Sequence, residues 1–420
     1  MEVAGGNEGW FTRFLNLRTF NSLKNSAYRL FWAALLCQMA SMNMQMMARS
    51  LLIYRLTGST LILGMMSLFN AVPMLLLSLF GGVLADRLPK KKVMLFGQAG
   101  SALVSLGIAL ALTLGFLSVE REGSWWILAV AALFQGTIMG LMMPSRQSII
   151  PEIVDNEHIL NAISLSNVGT SVMRFLAPAI TGFMIDAFDF QAVYFTMTGL
   201  YLMGTCFIVF LPLKGKTVVR FGSVLSGIRE GVRYLRGQTI ILFILAFILF
   251  AVLLSMPYAM LLPVFTEDIL HVGASGLGLL MTISGAGAIA GSLVLASLPN
   301  RRRGLMLLVG TLIMAVALIG FAFSESMALS IGIIVFIGLG QASRMALGNT
   351  LIQYYVDPVY RGRIMSIYMM QFGLTSFTTF AAGAMAESMG VQWVVGGFAM
   401  ALTVISLLAI VFARRLRQLD

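Results

Sequence analysis

Gln38, Met42, Gln45 and Arg49 stand at i, i+4, i+7 and i+11 inside an otherwise apolar run. Helical geometry puts them within about 60° of one another on one face. Amides, a thioether and a guanidinium do not break covalent bonds. Together they can hydrogen-bond, attract anions and mould around soft apolar shapes. A charge in such a helix must be used or neutralised. Arg49 therefore either meets a polar solute or pairs with an acid, the candidates being Asp186 and Glu387 near the ends of the fifth and eleventh apolar segments. A second polar face, Asn167, Ser171, Arg174 and Pro178, runs along the fifth segment. Arg174 lies near mid-segment, and no acid sits at comparable depth elsewhere in the sequence. That imbalance favours solutes with anionic or electron-rich groups such as carboxylates or catechols, although Arg174 could equally tie its helix to neighbouring carbonyls. Further candidates for lining the same space are Gln135 and Met139 in the fourth segment, Tyr258 in the seventh, Gln341 in the tenth, and Gln371 and Thr375 in the eleventh.

Catalysis finds little support. The two histidines, His158 and His271, fall at opposite membrane faces, and no His-Glu-x-x-His, Ser–His pairing or phosphate-cradling Gly-Lys loop is present. Cys37 and Cys206 both lie in apolar segments, which argues against a disulfide framework or a metal cluster. The expectation is a protein that binds without bond-making chemistry, with no cofactor and no metal.

The elements that position these residues follow from composition. The chain has 420 residues, 59% hydrophobic and 11% charged. Apolar stretches, each long enough to cross a ~30 Å hydrocarbon core as a helix, recur at 30–54, 61–85, 93–118, 125–148, 161–187, 189–212, 239–265, 276–298, 305–323, 327–352, 363–388 and 391–413. The pattern predicts an all-α polytopic membrane protein of twelve transmembrane helices. With the N-terminus placed inside, 22 of the 28 Lys and Arg fall on that side and only Arg55 and Arg121 on the other. This split predicts cytoplasmic termini. It also reads the net charge of +11 as topology and lipid-headgroup contact rather than nucleic-acid binding. Residues 1–29 lack a cleavable signal and read as a cytoplasmic amphipathic lead-in. The stretch 213–237 is the longest polar segment. It separates a six-helix bundle at 30–212 from a second at 238–413, with a tail at 414–420, and Val224, Leu225, Ile228, Val232 and Leu235 give part of it helical spacing.

The halves repeat each other. "GFMIDAFDFQAV" (182–193) aligns with "GAMAESMGVQWV" (383–394), "GLMMPSR" (140–146) with "GLGQASR" (338–344), and "LPKKK" (88–92) with "LPNRRR" (298–303). Parallel six-helix repeats imply two bundles about an axis along the membrane normal, with a site between them. "GGVLADRLPKKK" (81–92) resembles the loop 2–3 motif of the major facilitator superfamily, with Gly82, Asp86, Arg87 and Lys90 matching. The stretch 144–183 and "YRLTGST" (54–60) look like the branch holding the enterobactin exporter and the macrolide efflux proteins. Two departures stand out. Ala177-Pro178-Ala179-Ile180-Thr181-Gly182 lacks two glycines of the branch's Gly-Pro-x-x-Gly-Gly, and Ala132 replaces the arginine tied to proton coupling. The resemblance implies the major facilitator fold and a cytoplasmic gate latched by Asp86. Arg146, Arg344 and Arg361, at inner helix ends, join that gate as candidates. It further implies a monomeric secondary active transporter in a bacterial plasma (inner) membrane, exporting small amphipathic or anionic molecules by alternating access. The residues themselves suggest that the proton gradient drives it through the peripheral acids Asp86, Asp186 and Glu387, or that transport is coupled to an anionic substrate's own charge. An importer of a small organic anion, or a degenerate carrier acting as a sensor, is the alternative.

Overall fold

A computed structural model of the chain describes the backbone of residues 18–212, 230, 233–299 and 301–419; the side chains of 18–20 and 79–87 lie outside the described set. Without water to satisfy backbone N–H and C=O groups, apolar segments in lipid must form helices. Among the described residues there is no strand. The helices are α1 (Ser26–Thr57), α2 (Thr60–Arg87), α3 (Lys90–Thr113), α4 (Trp126–Ser148), α5 (Ile159–Val209), α6 (Thr239–Ser255), α7 (Pro257–Val264), α8 (Gly273–Ser297), α9 (Arg303–Ala322), α10 (Met327–Tyr355), α11 (Arg361–Met389) and α12 (Val391–Phe412). The 51-residue α5 is two passes joined at Asp189. α6, α7 and a π-turn over Phe265–Ile269 form one bent pass. Among the described residues 9 helices qualify as spans by length and apolar composition. Doubling α5 and adding the more polar α1 and α11 makes twelve passes.

α1 starts at Ser26, earlier than expected, because Asn25 caps it: its Oδ1 accepts from Ala27 N (2.9 Å) and Tyr28 N (3.2 Å). The lead-in before Arg18 and the amphipathic stretch expected within 213–229 lie outside the described residues. The turn before α1 docks on the start of α5, where Ser22 Oγ donates to Asn161 Oδ1 (2.6 Å). The C-terminal turn docks on the start of α9, where Gly304 N donates to Leu419 O (3.1 Å). Both ends of the described chain therefore sit on one face, here termed the basic face for its Lys and Arg clusters.

The repeat is visible in the backbone. Asp189 (φ 68°, ψ 171°) and Gly390 (φ 84°, ψ 146°) occupy corresponding places in the two copies, each breaking a helix into an immediate reversal. Within the first half α2 packs on α4, α3 on α4 and α5, and α1 on α5. In the second α8 and α9 pack on α10, and α9 on α12. The halves meet through α5 against α8 and α2 against α11. Buried apolar side chains divide accordingly. One cluster, running from Met44 to Leu402, mixes residues of both halves. Two others hold residues of one half each, Tyr28 to Leu211 and Leu235 to Leu419. The shared cluster lies away from the basic face and the separate ones beside it, so the halves are joined at one end and divided at the other.

Candidate substrate cavity

The joined end is closed by two related lines of contact. Along α5 and α8, Thr282 Oγ1 donates to Phe175 O (2.9 Å) and Ser275 N donates to Asp186 Oδ2 (2.8 Å). Along α2 and α11, Ser67 Oγ donates to Ser376 O (3.0 Å) and Thr60 Oγ1 to Gly383 O (2.8 Å). Glu387 Oε2 then accepts from Leu61 N (3.1 Å), Thr60 Oγ1 (2.9 Å) and Ser59 Oγ (3.2 Å). Asp186 of the first half thus caps a helix of the second, and Glu387 of the second caps a helix of the first. Small residues permit the approach: a Cβ on Gly278 would stand 2.4 Å from Pro178 O, and one on Gly383 2.4 Å from Thr60 O. α1 adds Arg55, whose Nη2 lies 2.8 Å from Glu267 Oε1 and whose guanidinium stacks 5.6 Å from the Phe190 ring centre. Tyr54 donates its hydroxyl to Asp268. Sequence reasoning missed Tyr54, Arg55, Glu267 and Asp268. The acid pair in "FTEDI" and the isolated Arg55 were the available signals, but nothing in their spacing joins positions so far apart.

Towards the basic face the lines stop. On α5, Phe175, Pro178 and Gly182 meet α8, whereas the more basic-ward Ser164, Asn167, Val168 and Ser171 are exposed. The α5 contact with α1 runs through Gly169 and Leu165, against Trp32 and Leu36. Between those two contacts the helical wheel leaves one polar sector, which carries Asn167, Ser171 and Arg174. Arg174 is exposed there, one residue from the last α5–α8 bond. Among the described residues it has no acid within ion-pair distance. It stands where the line of α5–α8 contacts ends towards the basic face.

The stripe on α1 divides differently from expectation. Gln38 is fully buried and donates to Met142 Sδ of α4 (3.7 Å), with its Oε1 unpartnered. Gln45 is 5% exposed. Both are packed within the first half, where α1 lies chiefly on α5. The exposed residues are Met42 and Met46, with Asn43 half-buried beside them. Arg49 turns towards Tyr194 and Tyr201 in the second pass of α5, with Nε buried and unpartnered. It does not reach Asp186 or Glu387, whose oxygens are engaged at helix starts. Gln135 donates to Ser101 Oγ of α3 (3.3 Å) inside the first bundle, and Met139 is core. Tyr258 packs edge-on to Phe321 of α9. Gln371 is buried with both amide atoms unpartnered. Gln341 donates to Met256 Sδ (3.9 Å), and Thr375 satisfies its hydroxyl on Phe372 O (2.7 Å). Both are half-buried.

The side chains of Asp86 and Arg87, and the environment of Gly82, lie outside the described residues. Lys90 bonds Glu152 Oε1 (2.5 Å) and Ser148 O (2.9 Å), partners in its own half, so in this conformation it bridges no gap between halves. Among the described residues Arg146 reaches the sulfurs of Met143 (3.5 Å) and Met39 (4.0 Å). Arg344, 1% exposed, keeps Nε and Nη2 buried without partners. Arg361 is exposed at the start of α11.

Two bundles joined at one end and divided at the other is the geometry of a carrier, and comparison with known proteins agrees. Residues 17–420 match the family described as transmembrane secretion effector. The chain belongs to this family of major facilitator transporters. It is 26% identical over 358 residues to an uncharacterized MFS-type transporter, YfiS, of Bacillus subtilis (strain 168), covering 81% of each chain. It is 24% identical to the staphyloferrin A transporter of Staphylococcus aureus, over 78% of this chain and 82% of the relative. It is also 24% identical to the enterobactin exporter EntS of Escherichia coli O1:K1, over 98% and 97%. Among solved structures the nucleoside transporter NupG superposes with a TM-score of 0.74 at 13% identity, covering 92% of this chain and 99% of that one, a likeness of fold. This transporter is a multi-pass membrane protein and not an enzyme.

Proposed function

We propose that this transporter exports small amphipathic or anionic molecules, siderophore-like or drug-like, by alternating access driven by the proton gradient. The observation that carries the reading is Arg174, an exposed guanidinium where the α5–α8 contacts end, with no acid to neutralise it among the described residues. An unneutralised cation held on a helix favours an anionic group on the solute, and the methionines Met42 and Met46 give a deformable apolar wall for its remainder. The names of relatives, a staphyloferrin A transporter and an enterobactin exporter, support cargo of the siderophore kind and outward transport. The basic face is assigned to the cytoplasm of a bacterial plasma membrane, with both termini there and the chain acting as a monomer. In that assignment the halves are divided on the side from which cargo would load.

Coupling is assigned to acids at the closed face. Asp186 and Glu387 stabilise closure as anions at helix N-termini. These bonds set how readily the outer face opens, and the proton that drives the cycle must bind from outside and leave to the cytoplasm. Asp268, bonded by Tyr54, joins them. The test is proteoliposome transport of an anionic catecholate and a neutral lipophilic dye under an imposed pH gradient. Arg174→Gln is expected to slow the anion about tenfold or more while sparing the dye. Equal losses for both would remove the anionic-cargo reading, and rates indifferent to the gradient would remove the coupling.

A further inference from the structure

The two bundles are not equally filled. In the first, α1 lies directly on the second pass of α5: Ser41 Oγ reaches Met197 O (3.5 Å), and a Cβ on Gly204 would meet Ala34 O at 3.4 Å. The corresponding pair in the second bundle is α6 and α12, and between them runs an open groove of about 690 Å³. Its walls are apolar, with Phe243, Phe247 and Phe250 on α6 facing Leu408 and Phe412 on α12. Its basic-face end carries Arg414 and Arg415, both exposed. Among the described residues neither has an acid within ion-pair distance.

We propose that this groove is a binding site for an anionic phospholipid. From Thr239 to Phe250 the α6 wall runs about 16 Å at 1.5 Å per residue, close to half of a ~30 Å hydrocarbon core. The groove therefore follows one leaflet, from the headgroup level to the bilayer middle. An acyl chain fits the aromatic and aliphatic walls, and the two arginines stand where the phosphate must lie. Charge complementarity distinguishes the occupant: a zwitterionic lipid offers the same chains without net charge, whereas basic pockets between helices select anionic headgroups. The lipid gives α6 the packing that α1 receives from protein, which completes the second bundle. The assignment stands independently of what the transporter carries.

The test uses the purified full-length chain and native mass spectrometry, with phosphatidylglycerol and phosphatidylcholine of identical acyl chains as probes. Phosphatidylglycerol should be retained in preference. The double variant Arg414→Gln, Arg415→Gln should lower its retention by about fivefold for each arginine removed. Ala409→Trp, which fills the groove and leaves both cations in place, should abolish it. The paired control Arg301→Gln, Arg303→Gln, on the same face outside the groove, should change nothing. Equal retention of the two lipids overturns the proposal, as does equal loss in the control pair. Retention that survives Ala409→Trp overturns it too. So does the absence of any lipid adduct.

Discussion

Removing the reciprocal caps tests how the halves are held together. Asp186→Ala strips the start of α8 of its capping oxygen, and Glu387→Ala strips the start of α2 of an anion that gathers one backbone N–H and two hydroxyls. An N-cap is worth about 1 kcal/mol. The Glu387 cluster, being largely solvent-exposed, is worth about 1–2 kcal/mol rather than the full value of charged hydrogen bonds. Together the double variant loses about 2–3 kcal/mol of closure, which shifts the closed-to-open ratio at that face by about 30- to 150-fold. Breaking the exposed Arg55–Glu267 pair alone should shift it far less, since such pairs contribute about 0–1 kcal/mol.

Spin labels can read that shift. Glu122→Cys and Glu325→Cys, exposed positions in the α3–α4 and α9–α10 connections, carry the labels in a Cys206→Ser background; Cys37 is buried. Distances in lipid nanodiscs should lengthen in the double variant. Asp186→Asn should behave in between, because asparagine still caps a helix but brings no charge. Acidification should move the wild type in the same direction as the alanines. An unchanged distance distribution in the double alanine variant would falsify the cross-capping account.

Gly278→Ala, with its new Cβ 2.4 Å from Pro178 O, should force α5 from α8 and open the same face without touching any charge, as the same label pair would report. Asp189→Gly should raise the melting temperature in a thermal-shift assay, since φ 68° with ψ 171° costs a non-glycine residue about 1–3 kcal/mol, and the repeat already uses Gly390 at the matching turn. Arg344→Met should leave thermal stability unchanged or higher, because a buried cation without a partner is replaced by an apolar side chain of similar length. The same variant should lose transport in proteoliposomes if Arg344 acquires a partner in the alternate conformation.

Helices and repeat were legible because lipid leaves the backbone few options and because Gly182 and Gly383 mark the same contact in each copy. Asp186 and Glu387 were visible as acids at helix ends, but their partners were not, since each caps the start of a helix in the opposite half. The α5 face was legible as a polar surface, and Arg174 and Asn167 are exposed on it. The α1 stripe was not. Spacing shows that Gln38, Gln45 and Arg49 share a face; it does not say what the face meets. A membrane helix hides polar side chains equally well in a cavity or against a neighbouring helix, and α4 and the second pass of α5 claim this one. Tyr258 and Gln135 were misread for the same reason.

The closed face and the open face differ in chemistry as well as spacing. Closure rests on the shared apolar cluster, small residues, side-chain hydrogen bonds between the halves, two caps and one exposed ion pair, of which the caps and the pair are worth only a few kcal/mol. On the open side, among the described residues, Arg146 meets sulfurs and Arg344 holds unpartnered N–H groups out of water, an arrangement that costs free energy in the conformation seen here. A carrier that alternates needs two states separated by no more than its driving force can overcome. Modest bonds at one face offset by unsatisfied cations at the other keep the gap narrow. The acids sit at the closed face and the cations without a hydrogen-bonding partner at the open one. Such a machine rocks because neither end is fully satisfied at once.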